Sequence, residues 1–316
     1  MNKIFKIFLA AAVSLFAVAC NLDQVSDIYT GEGSEPSMLQ TVFTETELEA
    51  TLETVSIPVV RSNASDAFTV NLIATLPVGI TVAGDATVVE TLENGSVVYS
   101  TAVSFAAGEA QTACVLNVSA MEVGSAYKGT VAIAEGEPYN ENKVTMSTSF
   151  TLGKAYTWVS VGQAEWFDQL SLMTDDDYGI QTVEVLKAEG FDRYRIMAPY
   201  ANTDQLAASW GASSLGGNKS SFIEFWVLEN GVNIAWDGWW FPGILYDGDG
   251  TDIKAYLPSV LSASLATDDA KSMKVADTAF VFFPYWYIDG LGGFGTKYPC
   301  VLAISGGPTV AEILGL

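Results

Sequence analysis

The 316-residue sequence contains no histidine. That absence removes Ser-His-Asp and Cys-His nucleophilic machinery, histidine-containing zinc sites and histidine general bases. Chemistry would have to come from carboxylates, lysine, tyrosine or a bound calcium ion. Cysteine is scarce, with three in the chain. Cys114 alternates in phase with Leu116 and Val118, which reads as a small buried thiol rather than half of a disulfide, and Cys300 lies in a different part of the chain. Positive charge is thin: Lys and Arg number 14 against 37 Asp and Glu, a net charge of −23. A surface of that sign repels nucleic acid, so no nucleic-acid partner is expected. No Gly-rich phosphate loop follows a strand and opens a helix; the glycine-rich stretch 290–295 reads as a loop.

What is present begins with residues 1–20. Lys3 and Lys6 precede an apolar run over 7–16, followed by Ala17-Val18-Ala19-Cys20. The run is shorter than the about 20 apolar residues of a transmembrane helix. Charge, apolar core and small residues in that order make a secretory signal. The stretch resembles the lipobox of bacterial lipoproteins, with Ala17 where leucine is more usual. The resemblance implies removal of residues 1–19, lipidation of Cys20 and membrane attachment through several acyl chains, which together hold a protein stably. Residues 20–39 lack periodicity and read as a flexible tether. The expected location is the outer membrane at the cell surface, with the periplasmic face as the alternative.

From about 40 to 152 the chain reads as consecutive strands, at 56–61, 67–75, 97–105, 112–119, 127–134 and 144–152. Pro58 suggests an edge position, and Asn94-Gly95 predicts a tight hairpin turn. Val59-Val60-Arg61, followed by Ser104-Phe105-Ala106-Ala107-Gly108-Glu109, resembles the Calx-beta domain. The resemblance implies an Ig-like β-sandwich. Calcium-binding members carry an Asp-Asp pair after a late strand; here that place reads Asn117-Val118-Ser119-Ala120-Met121-Glu122, so no calcium site is carried over.

All eight tryptophans fall between Trp158 and Trp286, which marks a second, aromatic-rich and mainly β domain over 156–316. Strands are expected at 181–188, 193–197, 221–228, 232–236, 253–257, 279–283 and 300–304, with a short helix at 203–210 capped by Asn202 or Thr203. Trp158-x-x-x-Gly162, Trp166-Phe167-Asp168, Tyr194-Arg195-Ile196 and Pro199-Tyr200 resemble a module of surface lipoproteins from anaerobic Gram-negative bacteria that has no established activity. The fold class is therefore all-β, a sandwich followed by a second strand-built body.

The stretch richest in recognition chemistry is Trp236-Asp237-Gly238-Trp239-Trp240, with Tyr246, and Tyr285-Trp286-Tyr287 near the end. Flat rings beside carboxylates suit a sugar, whose C–H face stacks on a ring while acids accept its hydroxyl protons. Alternation prevents Trp239 and Trp240 from sharing a face, so one of them packs inside. Asp247, Asp249 and Asp252 on a glycine-bent loop are the best set of cation ligands, with calcium as the implied ion and a plain turn as the competing reading. No catalytic residue is assigned. The expected function is a non-enzymatic, membrane-anchored binding module for a glycan or a protein partner. A carboxylate-based glycoside hydrolase and an adhesive interaction subunit are the alternatives.

Overall fold

The computed structural model describes residues 35–43, 47–136, 145–246 and 250–316. The signal segment, Cys20, Asp247 and Asp249 lie outside them. The chain divides into two compact units, Met1–Tyr156 and Thr157–Leu316.

The first unit is a β-sandwich. One sheet orders Pro36–Met38, Thr54–Arg61, Gln111–Asn117 and Thr81–Val82, all antiparallel. The other orders Val42–Phe43, Ser147–Lys154, Ala126–Ile133, Phe68–Leu76, Val97–Phe105 and Ala86–Thr91, and Glu47–Leu48 also pairs with Ser147–Lys154. Alternation sends Val55, Ile57 and Val59 from one sheet and Val70, Leu72 and Ala74 from the other into one core. Asn94-Gly95 turns Ala86–Thr91 back into Val97–Phe105: Gly95 has φ +83°, and Ser96 N–H donates to Asn94 Oδ1 at 3.0 Å.

Arg61 explains why the Val-x-Arg and Phe-x-x-Gly-Glu stretches occur together. Its buried guanidinium donates to the carbonyls of Glu109 (2.7 Å), Asp66 (2.5 Å), Ala106 (2.8 Å) and Ala64 (3.3 Å) and lies 4.9 Å from the Phe105 ring centroid. Glu109 Oε2 in turn accepts from Ala106 N–H. The motif is a clasp that closes one end of the sandwich by satisfying carbonyls no strand can reach.

Two expectations need correcting here. The tether does not extend to residue 39: Pro36–Met38 pairs with Thr54–Arg61, and Met38 is in the core. The strand Thr54–Arg61 is an edge only over its first part. Val59 and Val60 are paired on both sides, and the short neighbour stops where Pro58, which has no N–H to give, begins.

The second unit is a barrel. Eight antiparallel strands run Ile234–Trp236, Phe222–Val227, Arg193–Met197, Gln181–Ala188, Trp158–Asp168, Cys300–Ile304, Ala279–Phe282 and Met273–Ala276. The first and last in this order meet. Asn233 bridges Met273, Ile234 N–H donates to Ser272 O, and Lys274 N–H donates to Val232 O at 2.8 Å. Eight strands leave an interior that side chains fill, and Trp166, Tyr194, Phe225, Trp236, Phe280 and Phe282 fill it. Gly162, at φ +109°, carries the bulge that shifts register in Trp158–Asp168.

A four-stranded sheet, Trp239–Trp240, Ile253–Tyr256, Tyr285–Ile288 and Gly292–Gly295, adds to the same core through Trp240, Ala255 and Trp286. The expected loop at 290–295 is thus partly a strand. It is glycine-rich for a reason: a Cβ on Gly293 would come within 2.7 Å of the Tyr285 ring and 2.5 Å of Trp286 O. The helix Thr203–Trp210 forms as expected, and Asn202 Oδ1 accepts from Gln205 N–H. The 3-10 helix Ala263–Lys271 buries no residue and so left no apolar pattern to read.

Candidate functional site

The hairpin from Ile234–Trp236 into Trp239–Trp240 divides the aromatic stretch between two environments. Trp236 and Trp240 are each 2% exposed, whereas Trp239 is 46% exposed. Trp240 pairs with Ala255 and points inward; Trp239 pairs with Tyr256 on the outer face. Trp286 is fully buried, and its Nε1 donates to Tyr298 O at 3.0 Å. Trp236, Trp240 and Trp286, read from the sequence as ring platforms, are therefore core residues. The register of the small sheet, in which Trp240, Ala255 and Trp286 lie in line across three strands, buries the last two together.

The outer face carries the rest. Trp239, Tyr256 and Tyr285 lie in register across three strands, and Lys254 lies opposite Tyr287. Ring centroids are 5.2 Å apart for Trp239 and Tyr256, 6.0 Å for Tyr256 and Tyr287, and 6.5 Å for Tyr285 and Tyr287. Lys254 Nζ is ion-paired with Asp289 and sits 5.7 Å from the Trp239 ring centroid. The Asp289 hydrogen bond raises the Lys254 pKa, and partial burial raises that of the Tyr256 phenol. Tyr246 is exposed on the loop beyond the two-stranded pairing of Leu215–Lys219 with Pro242–Ile244. Sequence reasoning missed Tyr256 and Lys254. The alternation of the strand 253–257, laid beside Trp239, would have placed both on the ring-bearing face.

Beside Trp239 the surface opens into a pocket of about 280 Å³ lined by Phe222, Glu224, Trp236, Asp237, Trp239 and Trp240. Asp237 is exposed and makes no hydrogen bond or ion pair with the described residues. Glu224 is different. Its Oε1 accepts from Arg193 Nε (2.5 Å) and its Oε2 from Arg195 Nε (2.7 Å). Arg195 lies between the rings of Trp158 (4.0 Å) and Phe222 (4.4 Å), and Arg193 lies 4.4 Å from the Trp226 centroid. Each arginine is thereby fixed by a carboxylate edge and aromatic faces, and the wall behind Glu224 is stiff.

Under the pocket floor lies a buried polar chain. Trp240 Nε1 donates to Tyr200 Oη (2.8 Å), Tyr200 Oη–H donates to Asp168 Oδ2 (2.7 Å), and Asp168 Oδ1 accepts from the N–H groups of Leu170 and Ser171 at 3.0 Å each. Burial pushes the Asp168 carboxyl up, against the hydrogen bonds that pull it down. Burial, then the neighbouring Asp168, raise the Tyr200 phenol and the Cys300 thiol well above their usual values. Asp168, Tyr194, Arg195 and Tyr200 of the recognised sequence stretches therefore build the barrel's skeleton and the pocket's back wall.

The cation ligands do not assemble among the described residues. Asp252 Oδ1 accepts from Asn218 N–H (2.7 Å) and its Oδ2 from Asn218 Nδ2 (2.6 Å), which ties the strand Leu215–Lys219 to the start of the strand Ile253–Tyr256. No group of three or more Cys, Asp or Glu side chains among the described residues is placed to share a metal ion. In the first unit, Asn117 Oδ1 accepts from both Ser119 N–H and Ser119 Oγ, closing the turn at the end of Gln111–Asn117. Cys114 and Cys300 are both free and buried, and burial pushes the Cys114 thiol up to about 11.

No family model and no curated protein matches the chain. Similar solved structures include the calcium binding domain CBD12 of CALX1.1, 11% identical over 52% of this chain and 78% of that one, with a TM-score of 0.29. The Calx CBD2 domain is 14% identical over 39% of this chain and 90% of its own, with a TM-score of 0.25. CBD12 from CALX1.2 is 10% identical over 48% and 76%, with a TM-score of 0.26. At scores below 0.5 the sandwich assignment rests on the sheets themselves, and the Calx-beta likeness of the sequence remains a resemblance.

Proposed function

We propose that this chain is a lipid-anchored, non-enzymatic binding protein whose second unit recognises glycans through the Trp239 surface. One observation carries the reading. A half-exposed indole stands at the rim of a pocket that also holds the unpaired Asp237, with Tyr285 and Tyr287 on the same sheet face. The indole offers a stacking face for a sugar's C–H side, and the carboxylate offers an acceptor for its hydroxyls. The hydrolase reading is weaker at this site, because both oxygens of Glu224 are held by arginines, which leaves Asp237 without a second free carboxylate among the lining residues.

The lipid anchor belongs to the same proposal and rests on the sequence around Cys20. Mass spectrometry of the mature N-terminus tests it, since an unmodified Cys20 would remove the anchor. Calcium is a proposal for Asp247, Asp249 and Asp252 alone; a calcium titration that leaves the melting temperature unchanged would remove it. The glycan reading is tested by tryptophan emission of the intact protein across a broad polysaccharide panel. Saturable quenching that Trp239→Ala abolishes is the expected result. A flat response to every saccharide refutes the reading.

A further inference from the structure

We infer that the Trp239 pocket is one subsite of a longer aromatic track, which holds an uncharged, linear polysaccharide by the middle of its chain and not by its end. The inference rests on the glycan reading and narrows its ligand class. The pocket of about 280 Å³ has room for about one sugar ring. Aromatic side chains continue beyond it on two sides.

On one side the small sheet supplies them. Trp239, Tyr256 and Tyr285 lie in register across three strands, a span of about 10 Å at the usual spacing of neighbouring strands. Tyr256 is buried and forms the floor between its neighbours, while Tyr285 and Tyr287 are half-buried. The outermost strand, Gly292–Gly295, sets Gly293 opposite Tyr287, so no side chain walls the track off at that point.

On the other side the barrel supplies them. Phe222 lines the same pocket as Trp239 and is 37% exposed. The Arg195 guanidinium lies 4.4 Å from the Phe222 ring centroid and 4.0 Å from that of Trp158, which extends the flat-sided surface to a further ring. A closed cavity suits the end of a chain, whereas a row of rings open at both ends suits successive units of its middle. The charges beside the track cancel. Arg193 and Arg195 on Glu224, Lys254 on Asp289, and the separate Asp237 sum to zero. Neither a polyanion nor a polycation is favoured there, and the net charge of −23 opposes a polyanion at long range.

The test titrates the intact protein with oligosaccharides of two and six units derived from cellulose, mannan and xylan, following tryptophan emission. In at least one series the six-unit chain is expected to bind about 10-fold or more tightly than the two-unit one. Phe222→Ala and Tyr287→Ala, on opposite sides of Trp239, should each reduce that gain and leave two-unit binding in place. Val88→Ala, an exposed position in the sandwich, should change neither. Equal affinity for short and long chains overturns the inference and leaves the glycan reading standing. So does a gain that survives Phe222→Ala or Tyr287→Ala, one that Val88→Ala reduces equally, or six-unit oligogalacturonate binding as tightly as the neutral chains. Silence toward all three series also overturns the inference, and the wider polysaccharide panel then decides the glycan reading separately.

Discussion

Among the described residues, the first unit fills its interior with valine, leucine and isoleucine and three fully buried aromatic rings, Phe43, Phe105 and Phe150; the second packs nine buried rings into its main core. The choice of filling has consequences for polarity. Phenylalanine and the aliphatics bring no polar atoms inside, and the largest fully buried polar side chain of the sandwich among the described residues is Arg61, which forms the clasp. Tryptophan and tyrosine bring an N–H or O–H with each ring, and each needs a partner. The barrel therefore contains the Trp240–Tyr200–Asp168 chain, a Trp286 bond to Tyr298, and two indole N–H groups, of Trp166 and Trp236, without an acceptor among the described residues. An aromatic core yields larger contacts and a wider surface of rings at its margin, at the cost of polar groups that must be managed. The proposed ligand site lies at that margin.

Arg61→Met cuts deepest into this contrast. It takes the donor from the carbonyls of Glu109 and Asp66, and one of two donors from those of Ala64 and Ala106, and should destabilise the sandwich by about 3–5 kcal/mol. Hydrogen exchange should show protection lost across residues 54–61 and 97–117; retained protection there would mean that the clasp is dispensable. The neighbouring tryptophans provide a matched pair. Trp240→Ala should cost about 3–5 kcal/mol in denaturant titration through its cavity and the lost bond to Tyr200. Trp239→Ala should cost less than about 1 kcal/mol and yet remove saccharide quenching. Similar costs for the two would break the distinction between core and platform.

Asp168 yields a smaller effect with a definite sign. Its pKa is raised in the folded barrel, so the folded state binds this proton more tightly than the unfolded chain does. Its stabilising contribution is complete below the unfolded carboxyl value and is lost as the pH climbs through the folded one. The melting temperature of the wild type relative to Asp168→Asn should therefore rise between neutral pH and about pH 4. A difference that shrinks on acidification would reverse the sign and refute the buried-acid account. Smallest in energy is the thiol test. Cys114 and Cys300 should resist maleimide at neutral pH in the native protein and react once denatured, as mass spectrometry would show.

The sandwich was legible because its strands alternate over seven to nine residues: the expected strand 97–105 is Val97–Phe105, and Val70, Leu72 and Ala74 face inward as their spacing requires. The separation of Trp239 from Trp240 was legible for the same reason. Which of the two faces solvent was not, because a two-residue strand takes its facing from its partner Ile253–Tyr256 rather than from its own pattern. Trp236 and Trp286 look like platforms in sequence because composition does not reveal the side on which a ring lies. The barrel was illegible altogether. Its closure depends on Asn233 finding Met273, a long-range pairing with no local signal.

Tension reaching the barrel along the polypeptide enters at Trp158, the first residue of an eleven-residue strand. That strand is hydrogen-bonded on both sides, to Gln181–Ala188 and to the penultimate element Cys300–Ile304. Extracting it means shearing two ladders together instead of unzipping one bond at a time. Resistance to such a pull is set by how fast the fold opens, not by its equilibrium stability. A protein held at one end by a membrane and at the other by a polymer would therefore yield last at the strand through which the load arrives.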